Sequence, residues 1–354
     1  MTNIAAIRIA VVADTTLQRH ILQQFLLSKG YQIVLNTDPQ CLDVDSLQAC
    51  TTDLWLYDAL CLTEQDDAVL DYFLTNPGVP VLFGEGCAPQ RSSEEYPRWE
   101  RSLLDKIKRS TQHLQQVEIN SQSGQMFSSS AAAPVAIKLP ECFAEQLSLM
   151  PQPAAQVWLL AASTGGPQAV KAFLDALPRG LPLGFIYAQH IDPNFEANLP
   201  QAVGRHSQWP VRLLNEHPYV RQGEVVIVPV QHELSFSSNG CMQMLETAWP
   251  GPYSPSIEQM MSNLVRQYRH NSGAIVFSGM GSDGSLAAQY MQQQGAPVWT
   301  QEAQSCACSS MPDSVRAAGY SVLSATPEGL AQALVQYLLN QYTEDNDDIE
   351  RKIS

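Results

Sequence analysis

Short apolar runs alternate with amphipathic segments along the first hundred residues of the chain. The apolar runs predict buried strands, and apolar positions repeated at helical spacing before Gly30 predict a helix. Such an alternation of strands and helices is typical of a parallel sheet. The predicted strands are Ile7–Val12, Tyr31–Leu35, Asp53–Asp58 and Val79–Phe83, and the predicted helices are Leu17–Lys29, Ala68–Leu74 and Trp99–Ile107.

The alternation stops between residues 110 and 153 and resumes at Val157. The interrupted stretch is rich in Gln, Ser and Ala, so we expect a linker of low order that contains a short helix over Pro140–Leu149. The second alternation again predicts a parallel α/β sheet. Its predicted strands are Trp158–Leu160, Phe185–Gln189, Glu224–Val230 and Ala274–Ser278, and its predicted helices are Gln168–Leu177 and Ser285–Gln294.

The composition fits a globular chain of about two domains. The chain has 354 residues, of which 45% are hydrophobic and 16% charged, and this balance excludes wholesale disorder. A net charge of −15 argues against binding to the phosphate backbone of a nucleic acid. Residues 1–100 hold 14 acidic and 5 basic residues, and residues 343–354 hold 5 acidic and 2 basic ones. The acidity therefore belongs to the N-terminal region and the tail.

The sequence carries no pattern typical of a membrane or secreted protein. It lacks a basic start followed by an apolar leader, and nowhere do about 18 apolar residues follow one another without interruption. These patterns predict a cytoplasmic protein with no membrane insertion. The eight cysteines, including the pair Cys306 and Cys308, show no spacing typical of zinc. We expect them to be reduced thiols, mostly in the core.

The segment Ala161–Pro167, Ala-Ala-Ser-Thr-Gly-Gly-Pro, lies between a predicted strand and a predicted helix. Its two glycines allow a sharp turn and a close approach by another group, and the helix start offers free N–H groups to negative charge. Three interpretations stay open on these residues alone: a phosphate-binding loop, a nucleophilic serine on a turn, or a plain glycine-rich connection. The GxxxxGK[ST] and GxGxxG patterns are absent, which weakens the phosphate interpretation.

A nucleophilic serine needs a base and an acid that orients the base. His190 stands where the strand Phe185–Gln189 ends, and Asp283 follows another strand through a glycine-rich turn. Together with Ser163, they follow the carboxyl ends of predicted parallel strands, where open α/β sheets place their sites. Each has a structural alternative, His190 as a surface or capping residue and Asp283 as a turn or N-cap residue. The histidines without this setting are interpreted as structural: His206, His217, His232 and His270.

Three short motifs occur in the C-terminal half, namely Ala-Ser-Thr-Gly-Gly at 162–166, Ala-Gln-His at 188–190 and Gly-Met-Gly-Ser-Asp-Gly at 279–284. In this order and at these separations they resemble the signatures of the CheB-type protein-glutamate methylesterases of bacterial chemotaxis. The resemblance implies a doubly wound, Rossmann-like α/β domain and a serine esterase. Its substrates would be glutamyl methyl esters on methyl-accepting chemoreceptors, with deamidation of receptor glutamines as a second reaction.

The resemblance also implies a role for each matching residue. Ser163 would be the nucleophile, His190 the base and Asp283 the acid of a Ser-His-Asp mechanism. Thr164 and Met280 fall at assisting positions, and their backbone N–H groups are the candidates for the oxyanion hole. Ester cleavage in this family needs no cofactor and no metal.

Residues 1–109 resemble the receiver domain of this family, a flavodoxin-like parallel sheet. Asp58 takes the phosphoacceptor position, and Asp14 takes the place of one magnesium-binding acid while Ala13 takes that of the other. Gly84 replaces the switch Ser or Thr, and no Lys-Pro pair follows a fifth strand. Two alternatives follow: a receiver phosphorylated on Asp58 with Mg²⁺ held by Asp14 and Asp58, or a degenerate regulatory or docking domain, which the losses favour.

The predicted organisation is therefore a degenerate receiver-like domain over 1–109, a linker over 110–153, a methylesterase domain over 154–342 and an acidic tail over 343–354. The implied partners are a methyl-accepting chemoreceptor and a chemosensory histidine kinase. A catalytically weak signalling adaptor and a hydrolase of other carboxylic esters are the alternative functions. A frayed receiver joined to an intact esterase is also similar to variants in chemosensory systems that control type IV pili.

Overall fold

The computed structural model describes residues 6–59, 64–75, 79–84, 88–111, 137–144, 152–214 and 217–353. The chain divides into a first unit of residues 1–131 with 190–202, and a second unit of residues 132–189 with 203–354. The segment 190–202 thus clusters with the first unit, although the predicted boundaries place it in the methylesterase domain. Most of the predicted linker, residues 112–136 and 145–151, lies outside the described residues, and so does the end of the helix predicted over Pro140–Leu149.

The first unit contains a four-stranded sheet with the strand order β2-β1-β3-β4, in which every pairing is parallel. The predicted α/β class is confirmed here, and the described part of the unit passes from β4 to its last helix without a fifth strand. Its elements are β1 (Arg8–Ala13), α1 (Thr16–Ser28), β2 (Gln32–Thr37), α2 (Val44–Ala49), β3 (Leu54–Asp58), α3 (Glu64–Thr75), β4 (Val81–Phe83) and α4 (Tyr96–Ser110).

Strand β1 is an inner strand of this sheet, paired with β2 and β3, and its side chains are covered by helices of the unit. Residues 9–13 of β1 are completely buried, which explains the unbroken apolar run in the sequence. Thr15 is the N-cap of helix α1, and its Oγ1 accepts a hydrogen bond of 3.2 Å from Gln18 N. The core of the sheet and its helices consists of Ile9, Val11, Leu22, Phe25, Leu26, Leu54, Leu56, Leu82, Leu103 and Ile107.

The segment 190–202 packs on the carboxyl ends of β3 and β4 within the first unit. The Phe195 ring lies 6.2 Å from that of Phe83 and 6.3 Å from that of Tyr57 between centroids. Gly84 has φ +63°, and a Cβ at this position would lie 3.0 Å from Cγ1 of Ile191 and 3.0 Å from Cβ of Phe195. The glycine at the switch position therefore makes room for this segment.

Replacing Gly84 by serine, the residue type expected at a receiver switch, should destabilise the first unit by about 1–3 kcal/mol. A side chain at φ +63° is strained, and its Cβ would press on Ile191 and Phe195. Urea denaturation monitored by circular dichroism measures the change. Gly30 is the matched control, because its φ is +85° with nothing within 4 Å of a Cβ. If Gly84→Ser lowers the free energy of unfolding no more than Gly30→Ser does, the close approach of segment 190–202 to Gly84 makes no contribution to the loss.

The second unit is built on a seven-stranded, entirely parallel sheet with the order β13-β12-β11-β5-β6-β8-β7. A separate antiparallel hairpin is formed by β9 and β10. The elements from residue 141 onwards are α5 (Glu141–Ala144), β5 (Val157–Ala162), α6 (Gly166–Ala176), β6 (Gly184–Gln189), α7 (Leu199–Gly204), β7 (Val211–Arg212), β8 (Val225–Ile227), β9 (Leu234–Phe236), β10 (Met242–Met244), α8 (Ile257–Tyr268), β11 (Ser272–Val276), α9 (Ser285–Gln293), β12 (Val298–Gln301), α10 (Ser310–Ala317), β13 (Leu323–Ala325) and α11 (Pro327–Ile353), and α7 begins within the segment 190–202.

The strand order identifies where this sheet offers a binding crevice. The chain leaves β5 towards β6 on one side, and it later returns to the other side of β5 with β11. Such a reversal is a topological switch point, and open α/β sheets bind their ligands beyond the carboxyl ends of the strands that border it. A ligand site is therefore expected at the turns after β5 and β11. The predicted doubly wound fold is confirmed.

A buried ion pair joins Arg212 of β7 to Glu224, the residue before β8. Arg212 Nη2 lies 2.9 Å from Glu224 Oε1, and the two side chains are 6% and 10% exposed. Arg212 Nε also donates to Glu224 Oε2 at 3.1 Å, and Nη2 donates to Tyr219 O at 2.9 Å. This bidentate pair locks the short edge strand onto the sheet.

The substitution Arg212→Leu is expected to lower the free energy of unfolding by about 3–5 kcal/mol, because it leaves the Glu224 carboxylate buried without its cation. Denaturation in urea measures this loss. The control Lys29→Ala breaks a half-exposed pair with Glu100 and should cost no more than about 1 kcal/mol. Equal losses in the two variants would contradict a stabilising role for the buried pair.

The C-terminal helix extends beyond the predicted end of the domain. Helix α11 runs from Pro327 to Ile353, so residues 343–353 of the acidic tail continue the helix instead of leaving it. None of the described helices is long and apolar enough to cross a membrane.

Candidate active site

Ser163 lies on the tight turn between β5 and α6. The turn closes through a hydrogen bond of 2.9 Å from Gly166 N to Ser163 O, and Gly165 adopts the left-handed conformation at φ +75°. A Cβ on Gly165 would lie 2.5 Å from Cβ of Ala307, so glycine is needed for the close approach of the 303–308 loop. Ser163 is 4% exposed. The turn thus holds the serine in a fixed position at the carboxyl edge of the sheet.

The turn after β11 packs against the serine turn. Ser163 N donates to Ser278 O at 3.0 Å, and a Cβ on Gly279 would lie 2.9 Å from Cβ of Ser163. The buried Ser278 hydroxyl donates to Thr164 O at 2.7 Å and accepts from Cys308 N at 3.0 Å. The structure therefore brings the motifs at 162–166 and 279–284 into direct contact, as their positions after neighbouring parallel strands predict.

Asp283 lies at the junction of two helix starts. Its carboxylate accepts hydrogen bonds of 2.8 Å from Ile257 N and 2.9 Å from Glu258 N, at the beginning of α8. In return, Glu258 Oε2 accepts from Gly284 N at 3.0 Å and from Leu286 N at 3.3 Å, at the beginning of α9. Asp283 thus caps the helix that carries Glu258, and Glu258 caps the helix that follows Asp283. Burial raises the pKa of Glu258.

The helix-capping alternative for Asp283 is therefore real, since the carboxylate satisfies two free amides of α8. The same bonds hold the carboxylate rigidly at the edge where Ser163 lies. A capping role and an orienting role are compatible, because a carboxylate has lone pairs for about four hydrogen bonds.

His190 directly follows Gln189, the last residue of β6. Gln189 pairs with Ala162 in the register between β6 and β5, and its Nε2 donates to Ser163 O at 2.8 Å. Strand β6 thus ends next to the serine turn. Its side chain is partly buried, and His190 is the first residue of the segment 190–202 that clusters with the first unit.

The two candidate oxyanion donors are the N–H of Thr164, which follows the serine, and that of Met280, which follows Gly279 in the neighbouring turn. Within the part of the chain that the structure describes, no acceptor is hydrogen-bonded to the N–H of Thr164 or to that of Met280. Both residues are only partly buried. Unused N–H groups beside a buried serine are the donors that a developing oxyanion requires.

Sequence reasoning missed several residues that organise this site. Gln301 Oε1 accepts from Ser278 N at 2.8 Å, and its Nε2 donates to Ser305 O at 2.7 Å, which fixes the loop beside the serine turn. Tyr187 and Gln189 form a second buried hydrogen-bonded contact at the end of β6. Gln189 stands inside the Ala-Gln-His motif and Glu258 inside a Pro-Ser-Ile-Glu motif, so the motifs carried a signal for these two.

The Cys306 thiol does not offer an alternative nucleophile. Burial raises the pKa of Cys306 to about 12, so the thiol stays protonated at neutral pH. Cys308 Sγ lies 3.6 Å from Ser310 Oγ. The described cysteines are free thiols: Cys41, Cys50, Cys142, Cys241, Cys306 and Cys308.

The receiver-type acids lie at one edge of the first unit's sheet. Asp58 ends β3 in register with Ala13, the residue before Asp14. Arg19 donates to Ala13 O at 2.5 Å and to Asp14 O at 3.0 Å, and it pairs with Asp38 at 3.0 Å. A guanidinium thus occupies the end of β1, where a second magnesium-binding acid is missing. This donor set does not fit a receiver-type Mg²⁺ site.

Comparison with known proteins agrees with the geometry. The family model described as CheB methylesterase matches residues 158–334, which is half of the chain. A protein-glutamate methylesterase/protein-glutamine glutaminase of Anaeromyxobacter dehalogenans is 30% identical over 52% of this chain and 55% of its own length. One from Saccharophagus degradans is 32% identical over 45% of this chain and 44% of its own length.

The chain spans about half the length of the curated relatives it matches. The catalytic domain of the Thermotoga maritima CheB methylesterase has 23% sequence identity and a TM-score of 0.49, over 51% of this chain and 98% of that one. The matched region 158–334 contains Ser163, His190 and Asp283 with the turns that carry them. The chain belongs to the CheB methylesterase family.

Proposed function

We propose that the chain is a chemosensory protein-glutamate methylesterase, which hydrolyses glutamyl methyl esters on methyl-accepting chemoreceptors. The proposal rests on the contact between the Ser163 turn and the turn at 278–283, and on the N–H groups of Thr164 and Met280, which have no hydrogen-bond acceptor among the residues that the structure describes. Membership in the CheB methylesterase family and the names of the relatives support the same substrate class.

The proposed reaction proceeds through a covalent glutamyl-enzyme. His190 takes the proton of the Ser163 hydroxyl while the serine oxygen attacks the ester carbonyl, and the negative charge moves to the carbonyl oxygen. His190 then gives the proton to the departing methoxy group, which leaves as methanol. Water, deprotonated by His190, hydrolyses the acyl-enzyme and restores Ser163. Asp283 holds the imidazole in the tautomer that accepts the serine proton.

The N–H groups of Thr164 and Met280 would stabilise the oxyanion in both steps. The same apparatus suits glutamine deamidation, because a primary amide has the shape of the ester and its nitrogen leaves as ammonia once His190 protonates it. The names of the relatives include the glutaminase reaction. No residue of this mechanism requires a cofactor.

For the first unit we propose a degenerate, phosphorylation-independent role. Gly84 takes the switch position, and Arg19 binds the carbonyl oxygens at the end of β1. Incubation with acetyl phosphate and Mg²⁺, followed by intact mass measurement, tests this, and we expect no gain of a phosphoryl group. An added phosphoryl group on Asp58 would support the receiver alternative, with a histidine kinase as the natural partner.

A comparison of substrates separates the proposed function from its alternatives. The full chain is incubated with a methylated receptor fragment, the same fragment with glutamine at the methylation sites, and a small ester such as p-nitrophenyl acetate. We expect methanol from the first and ammonia from the second, both faster than hydrolysis of the small ester. Turnover of small esters alone would support another carboxylic ester hydrolase, and receptor binding without turnover would support the adaptor. A cytoplasmic location and a pilus-type pathway stay predictions from the sequence.

A further inference from the structure

The direction of one peptide group beside Ser163 is set from strand β6. Gln189 Nε2 donates to Ser163 O at 2.8 Å, and Gly166 N donates to the same oxygen at 2.9 Å. In a planar trans peptide, the C=O of one residue and the N–H of the next point in opposite directions. The two bonds that hold the Ser163 carbonyl therefore also decide where the Thr164 N–H points.

Tyr187 in turn sets the orientation of the Gln189 amide. A backbone carbonyl only accepts hydrogen bonds, so the amide atom that faces Ser163 O has to be Nε2. Gln189 Oε1 then faces the Tyr187 hydroxyl, which donates to it at 2.7 Å. Tyr187 is fully buried, and burial raises its pKa well above the usual value, so the hydroxyl keeps its proton. Without this donor, a buried Oε1 would lose a hydrogen bond.

Gly166 makes this link sterically feasible. A Cβ at this position would lie 2.3 Å from Gln189 Oε1, which no real side chain allows. The second glycine of Ser-Thr-Gly-Gly is thus required by the Gln189 amide and not only by the start of α6. The chain of contacts runs from Tyr187 through Gln189 to the peptide between Ser163 and Thr164, and Tyr187, Gln189 and Ser163 are buried.

We propose that Tyr187 and Gln189 are positioning residues that aim the Thr164 N–H at the oxyanion formed during ester hydrolysis. Neither residue contacts the substrate, and both act through the Ser163–Thr164 peptide. This inference rests on the proposed function, since it assigns a role within that reaction. It predicts that the two residues contribute to the transition state and not to binding of the receptor.

The kinetic test compares full-length wild type with Gln189→Met, Tyr187→Phe and the control Tyr268→Phe on a methylated receptor fragment. Gln189→Met replaces the amide by an apolar thioether. We expect kcat to fall by about 10²-fold, as it does on the loss of one oxyanion donor, while KM stays within about twofold of the wild-type value. Tyr187→Phe should lie between wild type and Gln189→Met. Tyr268→Phe removes a hydroxyl from a largely buried tyrosine at the far end of α8 and should leave kcat unchanged.

A crystal structure of Gln189→Met, or of Tyr187→Phe if the first variant does not fold, supplies an independent readout. We expect the Ser163–Thr164 peptide to be rotated or disordered relative to that in the wild-type crystal structure. A kcat above half of the wild-type value, a rise of KM in place of a fall of kcat, or an unchanged peptide would overturn the positioning role. If the wild type releases no methanol, the proposed function fails. The orientation of the Ser163–Thr164 peptide in the variant crystal structure then tests the positioning role without the kinetics.

Discussion

Replacing Ser163 by alanine is expected to lower kcat for methanol release by at least about 10⁴-fold, the scale found when a triad nucleophile is removed. Alanine cannot form the acyl-enzyme, and the oxyanion donors alone would accelerate only direct attack by water. The serine is 4% exposed and its backbone is held by Ser278, Gln189 and Gly166, so the smaller side chain leaves the turn in place. Initial rates on a methylated receptor fragment measure the loss.

Two further measurements make the Ser163→Ala result specific. Receptor binding, measured by calorimetry, should be unchanged, because the missing bond forms only during the reaction. Ser237→Ala is the control, since Ser237 lies in the β9–β10 turn and its hydroxyl bonds only within that turn. An active Ser163→Ala variant would exclude a serine nucleophile at this position.

The substitution Asp283→Ala should cost both activity and stability. Without the carboxylate, the histidine loses the acid that selects its tautomer, and kcat should fall by about 10⁴-fold. Two backbone amides at the start of α8 lose their acceptor at the same time, which should lower the free energy of unfolding by about 1–3 kcal/mol. Enzyme kinetics and urea denaturation measure the two effects on the same preparations.

Asp283→Asn separates the two roles of this carboxylate. The Asn oxygen still accepts from an α8 amide, so part of the stability should return, but the neutral amide does not supply the charge that orients an imidazole and stabilises its protonated form. We therefore expect Asp283→Asn to be more stable than Asp283→Ala and equally inactive. Normal activity in Asp283→Asn would reduce Asp283 to a helix cap.

The sequence predicted the site's main elements because parallel strands impose simple rules. Buried strands appear as unbroken apolar runs, as in 157–162 and 184–189, and their carboxyl ends meet at one edge of the sheet. Ser163 directly follows such a run and Asp283 follows another through a glycine-rich turn, so the two were expected near one another. Gly166 was expected in the turn before a helix over Gln168–Leu177; the structure starts the helix at Gly166 and places this glycine beside Gln189.

The rest depends on contacts that periodicity does not encode. The reciprocal capping by Glu258 and Asp283 joins residues far apart in the chain, and either acid alone reads as an ordinary helix-start residue. The short strands β7, β9 and β10 have two or three residues each, too few to show alternation. The packing of segment 190–202 within the first unit depends on Phe195. An apolar residue in the sequence does not indicate which side chains it will contact.

The proposed mechanism requires Ser163 to form a covalent glutamyl-enzyme with a methyl-esterified receptor. Rapid acid quenching of the full chain with a methylated receptor peptide, followed by digestion and mass spectrometry, detects this intermediate. We expect an adduct on the digestion fragment that contains Ser163, heavier by the mass of the peptide minus methanol and absent from Ser163→Ala. An adduct on any other residue, or methanol release at the wild-type rate by Ser163→Ala, would contradict it.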